Sequence, residues 1–261
     1  MVLTGRRGFY YPEEAVEKKY GITGNTLKII AVVLMIIDHT GAVLIENGIL
    51  QHWDPAVCRQ ILDTANGQMW FDVDLIMRTI GRPAFPIFCF LLTEGFIHTR
   101  DLKKYILRMA AFALISEIPF DLAITGQIYS PDAQNVFFTL FIGLVVLAGL
   151  EKYRYHAVLQ GLVFALGCLA ALALKTDYDV VGVLMITAFY LLSDNAWAQT
   201  LTCGALAAAE SSGTYCAGAL ALVPIRLYNG QRGRRKFKYL FYWFYPVHLL
   251  ALYLIGKLIF G

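Results

Sequence analysis

The chain has 261 residues, of which 58% are hydrophobic and only 16% charged, with a formal net charge of +3. Soluble domains carry about a quarter charged residues, so this composition excludes an ordinary water-soluble enzyme. The modest charge offers nothing to a nucleic acid. Residues 1–21, MVLTGRRGFYYPEEAVEKKYG, read as a short amphipathic lead-in whose basic and aromatic side chains suit the headgroup layer. Because this polar segment precedes the first apolar run, that run is not expected to be a cleavable signal peptide.

Nine apolar segments follow, at about 27–50, 75–97, 105–124, 136–150, 157–174, 180–192, 197–209, 214–225 and 239–260. Crossing a bilayer as a helix takes ~20 apolar residues, so several of these fall short of a full span. If the start of the chain is cytoplasmic, the loops on that side hold Arg100, Lys103, Lys104, Lys152, Arg154, Arg226, Arg232, Arg234, Arg235, Lys236 and Lys238. The other side has little beyond Arg59 and Lys175. This is the positive-inside asymmetry. The expectation is an all-α, polytopic membrane bundle of about nine transmembrane helices with a cytoplasmic N-terminus. Residues 1–261 form one membrane domain, with 1–26 as the interfacial segment.

Charge is spread unevenly along the segments. The first three and the last hold Lys28, Asp38, His39, Arg78, Arg82, Glu94, Arg108, Glu117 and His248, whereas the middle five hold almost none. Residues 27–126 and 226–261 are therefore expected to bear the site and 134–225 to support it. The Gly-, Ala- and Ser-rich stretch GALAAAESSGTYCAGAL belongs to that support, as close-packing surface. An ionisable group at membrane depth costs ~3 kcal/mol on insertion scales and is by default a functional residue.

In LKIIAVVLMIIDHTGAVLI, Asp38 and His39 are adjacent and point about 100° apart, so they cannot pair with each other. Asp38 needs a partner on another helix, Arg78 or Arg82. Lys28 and His39 are eleven positions apart, on one helix face, roughly 16 Å from end to end. In IGRPAFPIF, Pro83 and Pro86 each remove a backbone donor and are expected to kink the helix beside Arg82. Glu117 and Arg82 could form a register-fixing ion pair or take part in chemistry. Glu94 and Arg108 could pair with each other, and His248 could be simple packing among its aromatic neighbours. The basic run QRGRRKFK is a topology signal first and a phosphate site second. The five cysteines are scattered, His52, His98 and His156 share no ligand spacing, and no metal is expected.

Three stretches carry a family resemblance: LKIIAVVLMIIDHTGAVL, then MRTIGRPAFPIFCFLLTEGFIHTRDLKKYILRMAAFALISEIPFD, and YNGQRGRRKFKYLFYWFYPVHLLALYLI. Together they resemble the TraX family, whose named member acetylates F-type pilin subunits. The family is similar in plan to the membrane acyltransferases, many of which carry a basic residue, ten others and a His in the first helix; here that pattern falls on Lys28 and His39. The resemblance implies a multi-pass protein of the bacterial inner membrane that takes an acetyl group from cytoplasmic acetyl-CoA. The acceptor would be an amine or hydroxyl on a peptide, glycan or lipid, with membrane lipids as the surrounding partner.

The residues suit that chemistry. A neutral His can deprotonate the acceptor near pH 7, which gives His39 the part of base, and Arg82 or Arg78 can stabilise an oxyanion. Asp38 orders the site, while Glu117 and His248 support it. Lys28 with Arg232, Arg234, Arg235 and Lys236 can hold coenzyme phosphates. No Ser or Cys nucleophile with a neighbouring base stands out, so direct transfer is expected. The rival reading is a secondary transporter or proton-coupled carrier, since charges beside a broken helix are also found there.

Overall fold

Polar residues set where most of the helices begin. Thr23, Asp54, Thr64, Asp101, Asn135 and Asn195 each accept a first-turn backbone N–H through their side chains. The runs they open are α1 (Gly24–Thr40), α2 (Pro55–Leu62), α3 (Ala65–Gly81), α5 (Leu102–Thr125), α6 (Val136–Lys152) and α9 (Ala196–Glu210). Between and after them lie α4 (Ala84–His98), α7 (Ala157–Ala173), α8 (Asp179–Leu191), α10 (Leu222–Arg226) and α11 (Leu240–Phe260). This computed structural model describes residues 20–233 and 240–260. The lead-in expected over most of 1–21, and Arg234, Arg235 and Lys236, lie outside the described residues.

Among the described residues the protein is all-helical. Three helices are long and apolar enough to cross a membrane: Gly24–Ile49, Ala65–His98 and Phe241–Phe260. Ala157–Ala173, Asp179–Leu191 and Ala217–Arg226 are apolar but shorter. The outer faces carry exposed Ile29, Val33 and Ile36 on α1, Leu107 and Leu114 on α5, and Leu162, Leu166 and Leu169 on α7. Spacings of three, four and seven make these continuous apolar stripes, which suit a hydrocarbon neighbour. In the interior, α6 buries Leu144, Val146 and Leu147 against its neighbours α5, α7 and α8.

Two local features shape the first half. After Thr40 the helix continues with π-type winding over Gly41–Ile49, an uncommon geometry that recurs at functional sites. The second break is at Arg82–Pro83, where α3 stops and Pro83 precedes α4. Pro83 has no N–H for the helix to continue on. Pro86 sits in the first turn of α4, where a missing N–H is of no consequence; only one of the two expected proline kinks forms.

The break lies against α1. A Cβ on Gly81 would meet Asp38 Oδ1 at 2.7 Å and its Cα at 2.8 Å. On α1's side, a Cβ on Gly41 would meet Asp74 Oδ1 at 2.9 Å and Met77 Cβ at 3.3 Å. These two glycines let α1 and α3 approach closely enough to bring Asp38 to Arg78. Gly81→Ala should therefore destabilise the protein by about 1–3 kcal/mol, seen as a lower Tm in detergent. Gly161→Ala, on α7 with nothing within 4 Å of the new methyl, should leave Tm unchanged or slightly raised.

Candidate functional site

α1 and α11 pack side by side and bring two histidines together. His39 Nδ1 lies 2.6 Å from His248 Nε2, and His248 Nδ1 lies 2.9 Å from the carbonyl oxygen of Phe244, one turn back. A carbonyl can only accept, so His248 Nδ1 carries the proton. With His248 neutral, its Nε2 is then an acceptor, and His39 Nδ1 must donate to it. His39 Nε2 is left with a free lone pair, the state a general base requires. Aromatic rings hold the pair: Phe244 stacks on His248 with centroids 4.9 Å apart, and Tyr245 stands edge-on to both histidines at 5.8 and 5.7 Å. Tyr245 is buried and was not singled out in the sequence, where it is one of many aromatics.

Asp38 turns away from His39, as adjacent helical positions must. Its Oδ2 accepts from Arg78 at 2.6 Å, and the same Arg78 nitrogen reaches the Asp38 carbonyl at 3.3 Å. Of the two partners considered, Arg78 makes the bond. Arg78 Nε also faces Glu46 at 3.8 Å. Buried Asp74 stands nearby, against Gly41.

Arg82 does not pair with Glu117. It faces Glu210, the last residue of α9, at 3.7 Å, and Glu117 instead accepts from the side chain and backbone of Asn135. Asp177 and Tyr178 are within electrostatic reach of Arg82. Their loop is held by Gln134, whose N–H donates to Lys175 O at 3.0 Å and whose carbonyl accepts from Asp177 N at 2.8 Å. Lys175, Tyr178 and Asp179 all have positive φ (50°, 67° and 38°), a strained run of the kind found at built sites. The segments expected to be pure support thus supply two carboxylates to Arg82. The available signals were a single Glu closing an uncharged segment and a TDYD loop between apolar runs.

Near the other end of α1, the chain folds back on itself. Ile22 and Gly24 amides donate to Leu227 and Gln231 carbonyls at 2.9 Å, and Asn25 N donates to Arg232 O at 3.1 Å. These bonds fix Arg232 within electrostatic reach of Lys28, whose ammonium lies 5.5 Å from the Phe241 ring centre. Phe241, Phe244, Tyr245 and His248 share one face of α11 by spacing. With Lys28 beside Phe241 and His39 beside His248, the two helices run parallel and form a track from cations to base. Glu94 and Arg108 do not pair; Glu94 faces His98 at 3.8 Å, and Arg108 lies 5.7 Å from the Tyr105 ring centre. Asp101, exposed at the start of α5, has its carboxyl held below the usual range by the Lys104 amide and ammonium.

No solved structure matches this chain. A curated relative, the "Probable fimbrial assembly protein FimC, serogroup H1" of Dichelobacter nodosus, is 29% identical over 251 residues, covering 87% of this chain and 92% of its own. The profile of the TraX protein family matches residues 23–256, a range that includes the track, both histidines and the arginine clusters. The chain belongs to the TraX family.

Proposed function

We propose that this protein is a membrane acetyltransferase that moves an acetyl group directly from acetyl-CoA to an amine or hydroxyl acceptor. The observation that carries this reading is the hydrogen-bond chain Phe244 O–His248–His39, which leaves His39 Nε2 as an unprotonated base. In the reaction, Nε2 takes the proton of the acceptor N–H or O–H as the acceptor attacks the thioester carbonyl carbon. The tetrahedral oxyanion collapses, the C–S bond breaks, and the proton on His39 passes to the departing thiolate. His248 accepts the Nδ1 hydrogen bond throughout and stabilises the imidazolium that forms transiently. Arg82 keeps a buried Nε with no partner among the described residues, a donor free for the oxyanion. Asp38 and Arg78 hold the end of α1 against α3.

The Lys28 end of the track would face the cytoplasm, in keeping with the positive-inside distribution and with a cytoplasmic donor. Nine crossings of the inner membrane, some by helices shorter than a full span, follow from the same orientation. The relative's name ties that protein to fimbrial assembly, which favours a peptide acceptor over a glycan or lipid. A second reading has one observation behind it. Asp38, Glu46, Asp74, Asp177 and Glu210 outnumber Arg78 and Arg82, and that excess beside a broken helix would also suit a proton-coupled carrier.

Purified protein in lipid nanodiscs with radiolabelled acetyl-CoA separates the two. His39→Ala should lose transfer or thioester hydrolysis by about 10²–10⁴-fold while still binding coenzyme. His248→Leu should lower kcat with KM for the donor little changed, and His248→Gln, which returns an acceptor near the Nε2 position, should recover part of it. Wild-type rates in His39→Ala would remove the base from the mechanism. Absence of coenzyme binding by the wild type would leave the carrier reading.

A further inference from the structure

Arg108 is a cation that the reading above does not use. It lies two turns into α5, at the same end of the bundle as Lys28 in α1 and Arg232 in the loop before α11. Arg232 links the other two: it is within electrostatic reach of Lys28 and of the Tyr105 phenol, and Arg108 lies over the Tyr105 ring. Three cations from three elements are therefore gathered beside two aromatic rings, Lys28 at Phe241 and Arg108 at Tyr105, with Arg232 between them. None of the three forms an ion pair with a carboxylate among the described residues. Asp101, which caps the start of α5, is within electrostatic reach of Arg108, but it is exposed and paired with Lys104 at 3.2 Å.

Two details indicate what the cluster suits. Among the described residues, Arg108 Nε is buried with no hydrogen-bond acceptor, and a charged donor is seldom left in that state. The opening amides of α1 are already taken, since Gly24 N and Asn25 N donate to the carbonyls of Gln231 and Arg232. An anion arriving here would have to be bound by side chains, and an arginine fork matches phosphate geometry. Like charges gathered without a counter-charge repel one another, so a bound anion would stabilise the cluster.

We propose that Arg108, Lys28 and Arg232 form a phosphate-binding cradle at the mouth of the α1–α11 track, with Arg108 as a direct ligand. The ligand class is a phosphate mono- or diester, carried either by a nucleotide-type thioester donor or by an anionic lipid headgroup. Only the first of these sources rests on the acetyltransferase reading.

The full chain in phosphatidylcholine nanodiscs would be titrated with adenosine 3′,5′-bisphosphate and with coenzyme A. Parallel discs would contain phosphatidylglycerol, with lipid retained through purification as the readout. Arg108→Gln and Arg232→Gln should each weaken nucleotide binding by about tenfold to a hundredfold, and Arg108→Lys should keep most of it. Arg59→Gln, in α2, should bind as wild type. Arg232 is exposed, so its variant guards against a folding artefact at Arg108. If the wild type ignores both nucleotides but Arg108→Gln loses retained phosphatidylglycerol, the cradle stands with a lipid ligand and the acetyltransferase reading falls. If Arg108→Gln and Arg232→Gln bind nucleotide and lipid as the wild type does, the cradle itself is overturned.

Discussion

A backbone carbonyl can accept a hydrogen bond and never donate one, and at Phe244 that restriction governs the chemistry of a residue on another helix. It places the proton of His248 on Nδ1, makes His248 Nε2 an acceptor, and obliges His39 to donate from Nδ1. The free lone pair of His39 is thus set by the helical geometry of α11. Much of the surrounding structure serves to keep this chain of bonds in register. Phe244 and Tyr245 wall the rings, and the Arg78–Asp38 bond ties the end of α1 to α3.

The close approach of α1 to α3 is a second constraint, and it explains the glycines. Asp38 reaches Arg78 only because Gly81 and Gly41 present no side chain where the two helices meet. The break at Arg82–Pro83 then turns the chain so that Arg82 points toward the other half of the bundle, where Glu210 receives it. Two arginines four positions apart therefore hold different partners. Arg78 fixes the site-bearing helices to one another, and Arg82 joins them to α9. In a low-dielectric surrounding, either arginine left alone would be strongly unfavourable.

The sequence showed its helices clearly, because apolar runs bounded by capping residues leave little choice of structure. The nine apolar segments coincide with helical elements of the described residues, the eighth being made of short 3₁₀ and α turns over Ala217–Ala221 and Leu222–Arg226. It did not show how many of them cross a membrane, since among the described residues only three are long and apolar enough by themselves. At the site, adjacency and helical spacing sufficed to separate Asp38 from His39 and to align Lys28 with His39. They could not show that His39 meets His248, which depends on the rotation of α11 about its axis. The Arg82–Glu117 pair, one of the two readings of those residues, does not form for a similar reason: depth along a helix does not fix the direction in which a side chain leaves it. Nothing in GAVLIENGI announces π-type winding, which differs from an α-helix by one carbonyl per hydrogen bond.

The chemistry of the site rests on the protonation pattern of the histidine pair. ¹⁵N solid-state NMR of histidine-labelled protein in lipid bilayers at neutral pH reads it directly, with His39 identified by its through-space contact to His248. The expected result is a protonated, hydrogen-bonded Nδ1 and an unprotonated Nε2 on His39, together with a protonated Nδ1 on His248. A protonated Nε2 on His39 would contradict it, because the ring would then have no lone pair to offer an acceptor.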